Sequence, residues 1–185
     1  MLRALDVSLS IIGLIISAPI MILLLLLGLI DTGSPLFRQV RVGRYQKPFT
    51  LLKFRTMHQS TPSVASHLAD SSAVTSLGRF LRKTKLDELP QLWNVLKGEM
   101  SLVGPRPCLL SQGELIRERA LRGVFDVRPG ITGLAQLHGI DMSTPKLLAE
   151  TDAEMLNKLS LRIYLRYLLL TLSGKGMGDR IRQDK

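Results

Sequence analysis

Two adjacent carboxylates, Asp87 and Glu88, are the residues of this sequence best suited to chemistry on a phosphate group. Pro90 follows them, and because proline lacks an N–H and disfavours the α region for the residue before it, a helix should begin or kink there. The positive end of a helix keeps carboxylates ionised and favours bound phosphate. An ionised aspartate can attack phosphorus, and both carboxylates are candidate Mg²⁺ ligands. The pair could equally be a favourable N-terminal charge pair without chemistry.

Cations elsewhere in the sequence could neutralise the charge of such a phosphate. Lys53 and Arg55 share one face of a predicted strand. Arg106 stands between two prolines, which stiffen its backbone and suit bidentate phosphate recognition. Arg128 and Thr132 belong to a glycine-bearing loop whose N–H groups could face a phosphate or nucleotide. A solvated strand edge and a structural turn are the alternative interpretations of these motifs.

The composition limits the kind of partner. The 185 residues carry a formal net charge of +10, which implies nucleic acid, an acidic membrane surface or phosphorylated substrates. Aromatic residues are only 5% of the chain, which argues against single-stranded nucleic acid because bases stack on aromatic side chains. Cys108 is the only cysteine, so a disulfide within one chain is excluded and the charged part fits a reducing cytoplasm.

An apolar segment from Val7 to Ile30 carries no charged residue and exceeds the roughly 20 residues that a helix needs to cross a bilayer. Pro19, preceded by Ser17 and Ala18, removes one helical hydrogen bond at membrane depth, so a kink or break is expected there. Basic residues on both sides of the segment favour the cytoplasmic face for both of its ends. From these patterns, a kinked span and a re-entrant hairpin hinged at Pro19 both remain open.

The other elements predict an α+β, mainly helical fold. Residues 1–31 form the membrane-embedded part, residues 32–173 one compact domain on the cytoplasmic face, and residues 174–185 a tail. Ser76 should cap a basic amphipathic helix, which suits a membrane interface or an ordinary surface. Further predicted elements are a β-hairpin at 36–43 and 49–57, a helix after the carboxylates that Gly98 ends, a short strand at 101–103, a charged, exposed helix at 111–122 and two helices within 145–172.

Three segments occur in an order that carries a family resemblance: Lys53-Phe54-Arg55-Thr56-Met57, the run from Leu81 to Pro107 with Leu86-Asp87-Glu88-Leu89-Pro90 inside it, and the run from Val127 to Gln136. Together with the preceding apolar segment, they resemble the monotopic phosphoglycosyl transferases, a bacterial sugar transferase family, in their small membrane-bound form. The resemblance covers nearly the whole chain.

The resemblance implies transfer of a phospho-sugar from a UDP-sugar to polyprenyl (undecaprenyl) phosphate, with release of UMP and a requirement for Mg²⁺. It implies that Asp87 forms a covalent phospho-sugar intermediate, that Glu88 helps to hold the metal and that Arg106 touches the nucleotide or its phosphate. It also implies a re-entrant membrane helix at the inner membrane and a role in the first membrane step of O-antigen, capsule or glycoprotein glycan assembly. The family usually has serine directly before the membrane proline, where this chain has Ala18; Ser17 could partly replace it.

Two other functions compete with the transferase. A membrane-anchored basic adaptor would bind anionic lipids without chemistry, and a membrane phosphatase would attack the same UDP-sugar with water. Nucleic acid is not an expected partner, and a monomer and a dimer both remain open. Acetamido-dideoxy sugars are the expected substrates, with hexoses such as glucose or galactose as the alternative.

Overall fold

The computed structural model of the protein describes residues 2–62 and 70–176. Most of the predicted tail therefore lies outside the described residues. Within them, helices dominate and the strands form two small sheets, as the α+β prediction requires.

Helix α1 is the apolar helix Leu2–Thr32. It runs through Pro19, so the predicted break does not interrupt the helix; a missing N–H removes one hydrogen bond while neighbouring turns keep theirs. Ser17 donates to the sulfur of Met21 at 3.4 Å, and its replacement of the family's serine stays a prediction. Among the described residues α1 is the one helix long and apolar enough to cross a membrane. The re-entrant course stays a prediction.

Both ends of α1 contact the rest of the protein, while its middle is exposed. Near the start, Asp6 is 3% exposed and accepts a hydrogen bond from the backbone of Leu102. Near the end, Leu24 packs in a buried cluster with Phe54 and Leu81. Between these regions the outward-facing isoleucines, such as Ile16 at 74%, have no protein cover.

The predicted β-hairpin is confirmed. Strands β1 (Leu36–Val42) and β2 (Pro48–Phe54) pair antiparallel, with Leu36 opposite Phe54 and Val42 opposite Pro48. Every second residue of β2 from Phe49 to Lys53 is buried, as expected of a strand with one covered face, and Phe54 is buried as well.

Helix α2 (Ser76–Thr84) begins one residue earlier than predicted, because Thr75 rather than Ser76 is its cap and accepts from the Gly78 amide at 2.9 Å. A single 3₁₀ turn, Leu86–Glu88, separates α2 from helix α3 (Gln91–Leu96). Gly98 follows α3 with φ +83°, a left-handed conformation that favours glycine and ends the helix as predicted.

The second sheet was only half predicted. Strand β3 (Ser101–Val103) was expected, whereas β4 (Gly130–Thr132), which pairs with it in parallel, lies in a segment that we predicted to be a loop. The close approach of β4 to the segment after β3 depends on glycine, since a Cβ at Gly104 would lie 2.6 Å from the carbonyl oxygen of Arg128. The remaining helices are α4 (Gly113–Leu121), α5 (Leu134–Leu137), α6 (Pro145–Lys158) and α7 (Leu161–Leu172).

The main core lies between these layers. Residues of β2, α3, β3, α6 and α7 form one buried cluster, in which Val95, Met100 and Met155 are fully buried. Asn94 joins α3 to β2, because its side chain donates to the carbonyl of Thr50 at 2.7 Å and accepts from the Leu52 amide at 3.0 Å. The turn that carries the two carboxylates is therefore fixed against the hairpin.

Candidate active site

The adjacent carboxylates lie in the 3₁₀ turn immediately before α3, as predicted. Lys85 precedes them with φ +59°, a left-handed conformation that reverses the chain after α2. Pro90 then occupies the position before the first residue of α3, where its missing N–H costs nothing. Asp87 is 4% exposed and the Glu88 side chain 16%. A carboxylate so placed is shielded from bulk water but next to a helix start.

The structure brings Glu88 together with Arg106, which is the decisive contact of the site. Arg106 Nη2 lies 3.0 Å from Glu88 Oε1, although the two residues are far apart in the chain. The guanidinium is 25% exposed, so it reaches both the carboxylate and solvent. A cation beside two carboxylates can bind the phosphates of a substrate while the carboxylates hold a metal.

Lys53 lies in β2 and Arg55 follows one residue after the strand ends at Phe54, yet both side chains approach the same aromatic ring. Their charged groups lie 5.7 Å and 5.5 Å from the centre of the Phe37 ring. Lys53 is 6% exposed, and its strand packs against the turn of Asp87. Arg55 instead donates to the carbonyls of Ser34 and Leu36, so it fixes the link between α1 and β1.

Arg128 and Thr132 serve the framework around the site. Arg128 donates through Nε to the carbonyl of Gly98 at 2.7 Å, which places it at the end of α3 opposite the carboxylates. Thr132 is buried, and its hydroxyl lies 2.7 Å from the hydroxyl of Thr171 on α7. The glycine-bearing segment thus contains β4 and contacts the end of α3 and α7, and its contact with a phosphate stays a prediction.

Lys85 is a site residue to which sequence reasoning assigned no role. Its ammonium donates to the carbonyl of Lys175 at 3.0 Å, so the first residues of the predicted tail lie beside the carboxylate turn. Burial lowers the pKa of Lys85, the nearby Arg106 lowers it further, and Glu88 opposes both effects. Its position two residues before Asp87 was the available signal, but the partner carbonyl could not be inferred from spacing.

The donor chemistry of the carboxylate pair fits Mg²⁺. Within residues 2–62 and 70–176 no three acidic, histidine or cysteine side chains cluster as a ready metal site. Mg²⁺ commonly takes one or two carboxylates and completes its shell with water and substrate phosphates, so Asp87 and Glu88 suffice as protein ligands.

Comparison with known proteins agrees with this geometry. The family profile described as "Bacterial sugar transferase" matches residues 1–175. The chain belongs to the bacterial sugar transferase family. The membership agrees with the resemblance seen in the sequence and favours an enzyme over a membrane adaptor without chemistry.

Three relatives indicate the range of this family. The chain is 39% identical over 182 residues to the "Uncharacterized sugar transferase EpsL" of Bacillus subtilis, covering 98% of this chain and 90% of the relative. It is 44% identical to a UDP-glucose:undecaprenyl-phosphate glucose-1-phosphate transferase of Caulobacter vibrioides, over 75% of this chain and 54% of the relative. It is 39% identical to an undecaprenyl-phosphate galactose phosphotransferase of Salmonella typhimurium, over 74% of this chain and 32% of the relative. The sugar transferase thus spans nearly all of the first relative and about a third to a half of the other two.

Proposed function

We propose that this sugar transferase moves a phospho-sugar from a UDP-sugar to polyprenyl (undecaprenyl) phosphate and releases UMP. The observation that carries the proposal is the pair of Glu88 and Arg106 beside the buried Asp87, in a protein with a lipid-compatible helix. The relatives from Caulobacter vibrioides and Salmonella typhimurium are named for transfer to undecaprenyl phosphate, which supports the same acceptor.

The chemistry that we propose has two displacements. A carboxylate oxygen of Asp87 attacks the phosphorus that carries the sugar, and the bond from this phosphorus to the bridging oxygen breaks, so UMP leaves with the electron pair. A phosphate oxygen of the lipid then attacks the same phosphorus, and the bond to Asp87 breaks, which restores the carboxylate. Because Asp87 is 4% exposed, water has little access, which favours transfer over hydrolysis.

Charge neutralisation comes from the side chains around Asp87. Arg106 binds a phosphate oxygen of the nucleotide while Glu88 keeps its guanidinium in place. Asp87 and Glu88 would hold Mg²⁺, which when bound neutralises phosphate oxygens. Lys53 adds a buried positive charge on the strand packed against the turn.

The contacts of α1 support a re-entrant or in-plane course at the membrane rather than a straight span. A helix of this length would extend about 46 Å at 1.5 Å per residue, enough to cross a bilayer of about 30 Å. A crossing helix would put its ends on opposite sides of the membrane. Here Arg3, which donates to the Leu96 carbonyl, and Asp31, which accepts from Thr75, both contact the same body. We therefore propose that both ends lie at the cytoplasmic face of the bacterial inner membrane, where anionic lipids meet the basic surface of the protein.

The sugar and the pathway are part of the proposal. UDP-linked acetamido-dideoxy sugars remain the substrates expected from the resemblance. Two relatives are named for glucose and galactose, so UDP-glucose and UDP-galactose should be tested beside them. The product, a lipid-linked sugar diphosphate, would begin the assembly of a surface polysaccharide or glycoprotein glycan.

One assay separates the transferase from its competitors. Purified protein is incubated with a panel of UDP-sugars, Mg²⁺ and polyprenyl phosphate, and UMP and labelled lipid are measured. UMP with labelled lipid supports the transferase, UMP and free sugar phosphate without labelled lipid supports the phosphatase, and no turnover with any donor supports the adaptor. Incubation with UDP-sugar alone should add the mass of a phospho-sugar to the peptide that contains Asp87. The variant Asp87→Asn, which lacks the anionic nucleophile, should lose both the adduct and the turnover.

A further inference from the structure

The loop that carries Arg106 is held at four consecutive carbonyl groups. The Pro105 carbonyl accepts from the Gly130 amide at 2.9 Å, and the Cys108 carbonyl accepts from the Val42 amide at 2.9 Å. Between them, the Arg106 carbonyl accepts from Arg119 at 2.8 Å and the Pro107 carbonyl from Arg41 at 3.1 Å. Donors from β1, α4 and β4 thus fix the backbone of one short loop.

Arg119 is the least expected of these donors. It lies on α4, a helix that the sequence predicted to be charged and exposed, yet it is 1% exposed. Its Nε and Nη2 donate to one oxygen of Asp152 on α6, at 3.0 Å and 2.6 Å, and its Nη1 is the group that holds the Arg106 carbonyl. Asp152 is also 1% exposed. Burial raises the pKa of Asp152, and the guanidinium of Arg119 opposes that rise.

A buried ion pair of this kind contributes little net stability to the folded protein. Removing two charges from water costs about as much as their attraction returns, and apolar residues of similar volume often replace such a pair without loss of stability. The third donor of Arg119, which points to the loop rather than to Asp152, is therefore the informative feature. Three donors fixed at one guanidinium join α4, α6 and the Arg106 carbonyl in a single rigid unit.

We propose that Arg119, held by Asp152, is a positioning residue that fixes the backbone of Arg106 so that its guanidinium meets Glu88 and the substrate phosphate. The functional half of this inference rests on the proposed function. The chain of contacts runs from Asp152 through Arg119 and the Arg106 carbonyl to Arg106 Nη2 and Glu88. Displacing a binding group by about 1 Å can lower a rate by about 100-fold, so loss of this contact should lower kcat/KM by about 10-fold to 100-fold.

The test variant replaces the pair by apolar residues, as Arg119→Met with Asp152→Leu, so that no buried charge is left unpaired. The matched control is Arg122→Met with Glu150→Leu. This pair also joins α4 to α6, at 3.2 Å, but it is partly exposed, and within the described residues Arg122 bonds to Glu118 and Glu150 and not to the Arg106 loop. A second test variant, Arg119→Lys, keeps the charge opposite Asp152 but replaces the planar guanidinium and its several donors by one ammonium group. It is used if the apolar double variant fails to fold.

Hydrogen–deuterium exchange of the peptides covering Val42 and Gly130 tests the clamp without any substrate, because the amides of these residues donate to the Cys108 and Pro105 carbonyls of the loop. Exchange at these two amides should become faster in the test variants and stay unchanged in the control. Unchanged exchange in a folded test variant would overturn the clamp, whether or not the protein turns over a UDP-sugar. A wild-type protein without turnover would refute the proposed function and leave this readout intact.

A double-mutant cycle tests whether Arg119 acts through Arg106. With the radiolabelled UDP-sugar selected by the panel, kcat/KM is measured for the test variant in the wild-type background and in Arg106→Ala. If Arg119 acts by positioning Arg106, its replacement should have less than a twofold effect once the Arg106 side chain is absent. An equal loss in both backgrounds would show a general structural role and overturn the proposal.

Discussion

Asp6 gives the sharpest test of how α1 is joined to the catalytic body. One of its carboxylate oxygens accepts from the Ser101 hydroxyl at 2.9 Å, the Leu102 amide at 2.8 Å and the Tyr164 hydroxyl at 2.5 Å. The residue is 3% exposed, and Arg3 lies 3.9 Å from its other oxygen. Three donors from β3 and α7 therefore converge on one carboxylate of α1.

The expected cost of Asp6→Ala follows from these contacts. A hydrogen bond to a charged group contributes about 1.5–3 kcal/mol, and a buried donor left without its partner costs about 1–3 kcal/mol. Since water can partly replace the carboxylate near the helix start, we expect a loss of about 3 kcal/mol in the free energy of unfolding. For a protein of this size, 1 kcal/mol corresponds to about 2–4 °C, so Tm should fall by about 6–12 °C.

The assay is thermal unfolding in detergent, followed by circular dichroism, with Ser10→Ala as the control. Ser10 is one turn further along α1 and fully buried, but its hydroxyl has no hydrogen-bond partner among the described residues. Its removal should therefore change Tm by only a few degrees. Equal Tm values for Asp6→Ala and Ser10→Ala would refute the conclusion that Asp6 holds α1 to the body.

Further predictions concern the site, the thiol, the membrane helix and alkaline pH. Glu88→Gln should lower kcat/KM at least tenfold in the UMP assay, and added Mg²⁺ should restore part of it; no Mg²⁺ dependence would contradict its role at the metal. Cys108 is fully buried and burial raises the pKa of its thiol, so a thiol reagent should label it only after unfolding, as counted by mass spectrometry. In a Cys108→Ser background, cysteines introduced at positions 2 and 32 should both be protected from an impermeant thiol reagent in intact cells. Adding Pro19→Ala should expose the cysteine at position 2. Labelling of position 2 without Pro19→Ala would show a true span. Burial and Asp6 raise the pKa of Tyr164 above its ordinary value near 10. The neutral phenol therefore contributes its full share to the free energy of unfolding below about pH 10, and this contribution is lost as pH rises through the raised pKa. Alkaline unfolding followed by circular dichroism should therefore begin only above about pH 10, and a phenol that ionises at the ordinary pKa without loss of structure would contradict this burial.

The features predicted correctly from sequence are local. The hairpin follows from two short extended segments, and the carboxylate turn follows from Pro90 and the helical spacing after it. The end of α3 follows from Gly98. In each case the deciding residues lie within a few positions of one another, where turn chemistry and periodicity operate.

The features missed from sequence depend on distant partners. Strand β4 has no strand pattern of its own and becomes a strand because Gly104 and Gly130 allow close backbone approach to β3. Arg119 looks like a solvated cation of α4 until Asp152, on a different helix, buries it. The pair of Glu88 and Arg106 was predicted as two site residues, but their direct contact required the fold.

The contacts at the two ends of α1 also connect this apolar helix to the two halves of the candidate site. At the start of α1, Asp6 holds Leu102, and β3 leads directly into the loop of Arg106. At its end, Asp31 accepts a hydrogen bond from Thr75 at 2.7 Å, and Thr75 caps α2, which leads into the carboxylate turn. One end of the helix is thus bonded to the strand before the Arg106 loop, and the other to the cap of the helix before Glu88.

This arrangement makes the geometry of the site depend on the shape of α1. A change in the bend of the helix moves its two ends relative to each other. It therefore changes the distance between the carboxylate turn and the Arg106 loop, whose side chains Glu88 and Arg106 lie 3.0 Å apart. The rest of the body opposes such a change through the core cluster that joins β2, α3, β3 and α7. Asp6 and Asp31, which flank the uncharged stretch of α1, are therefore well placed to hold the site together.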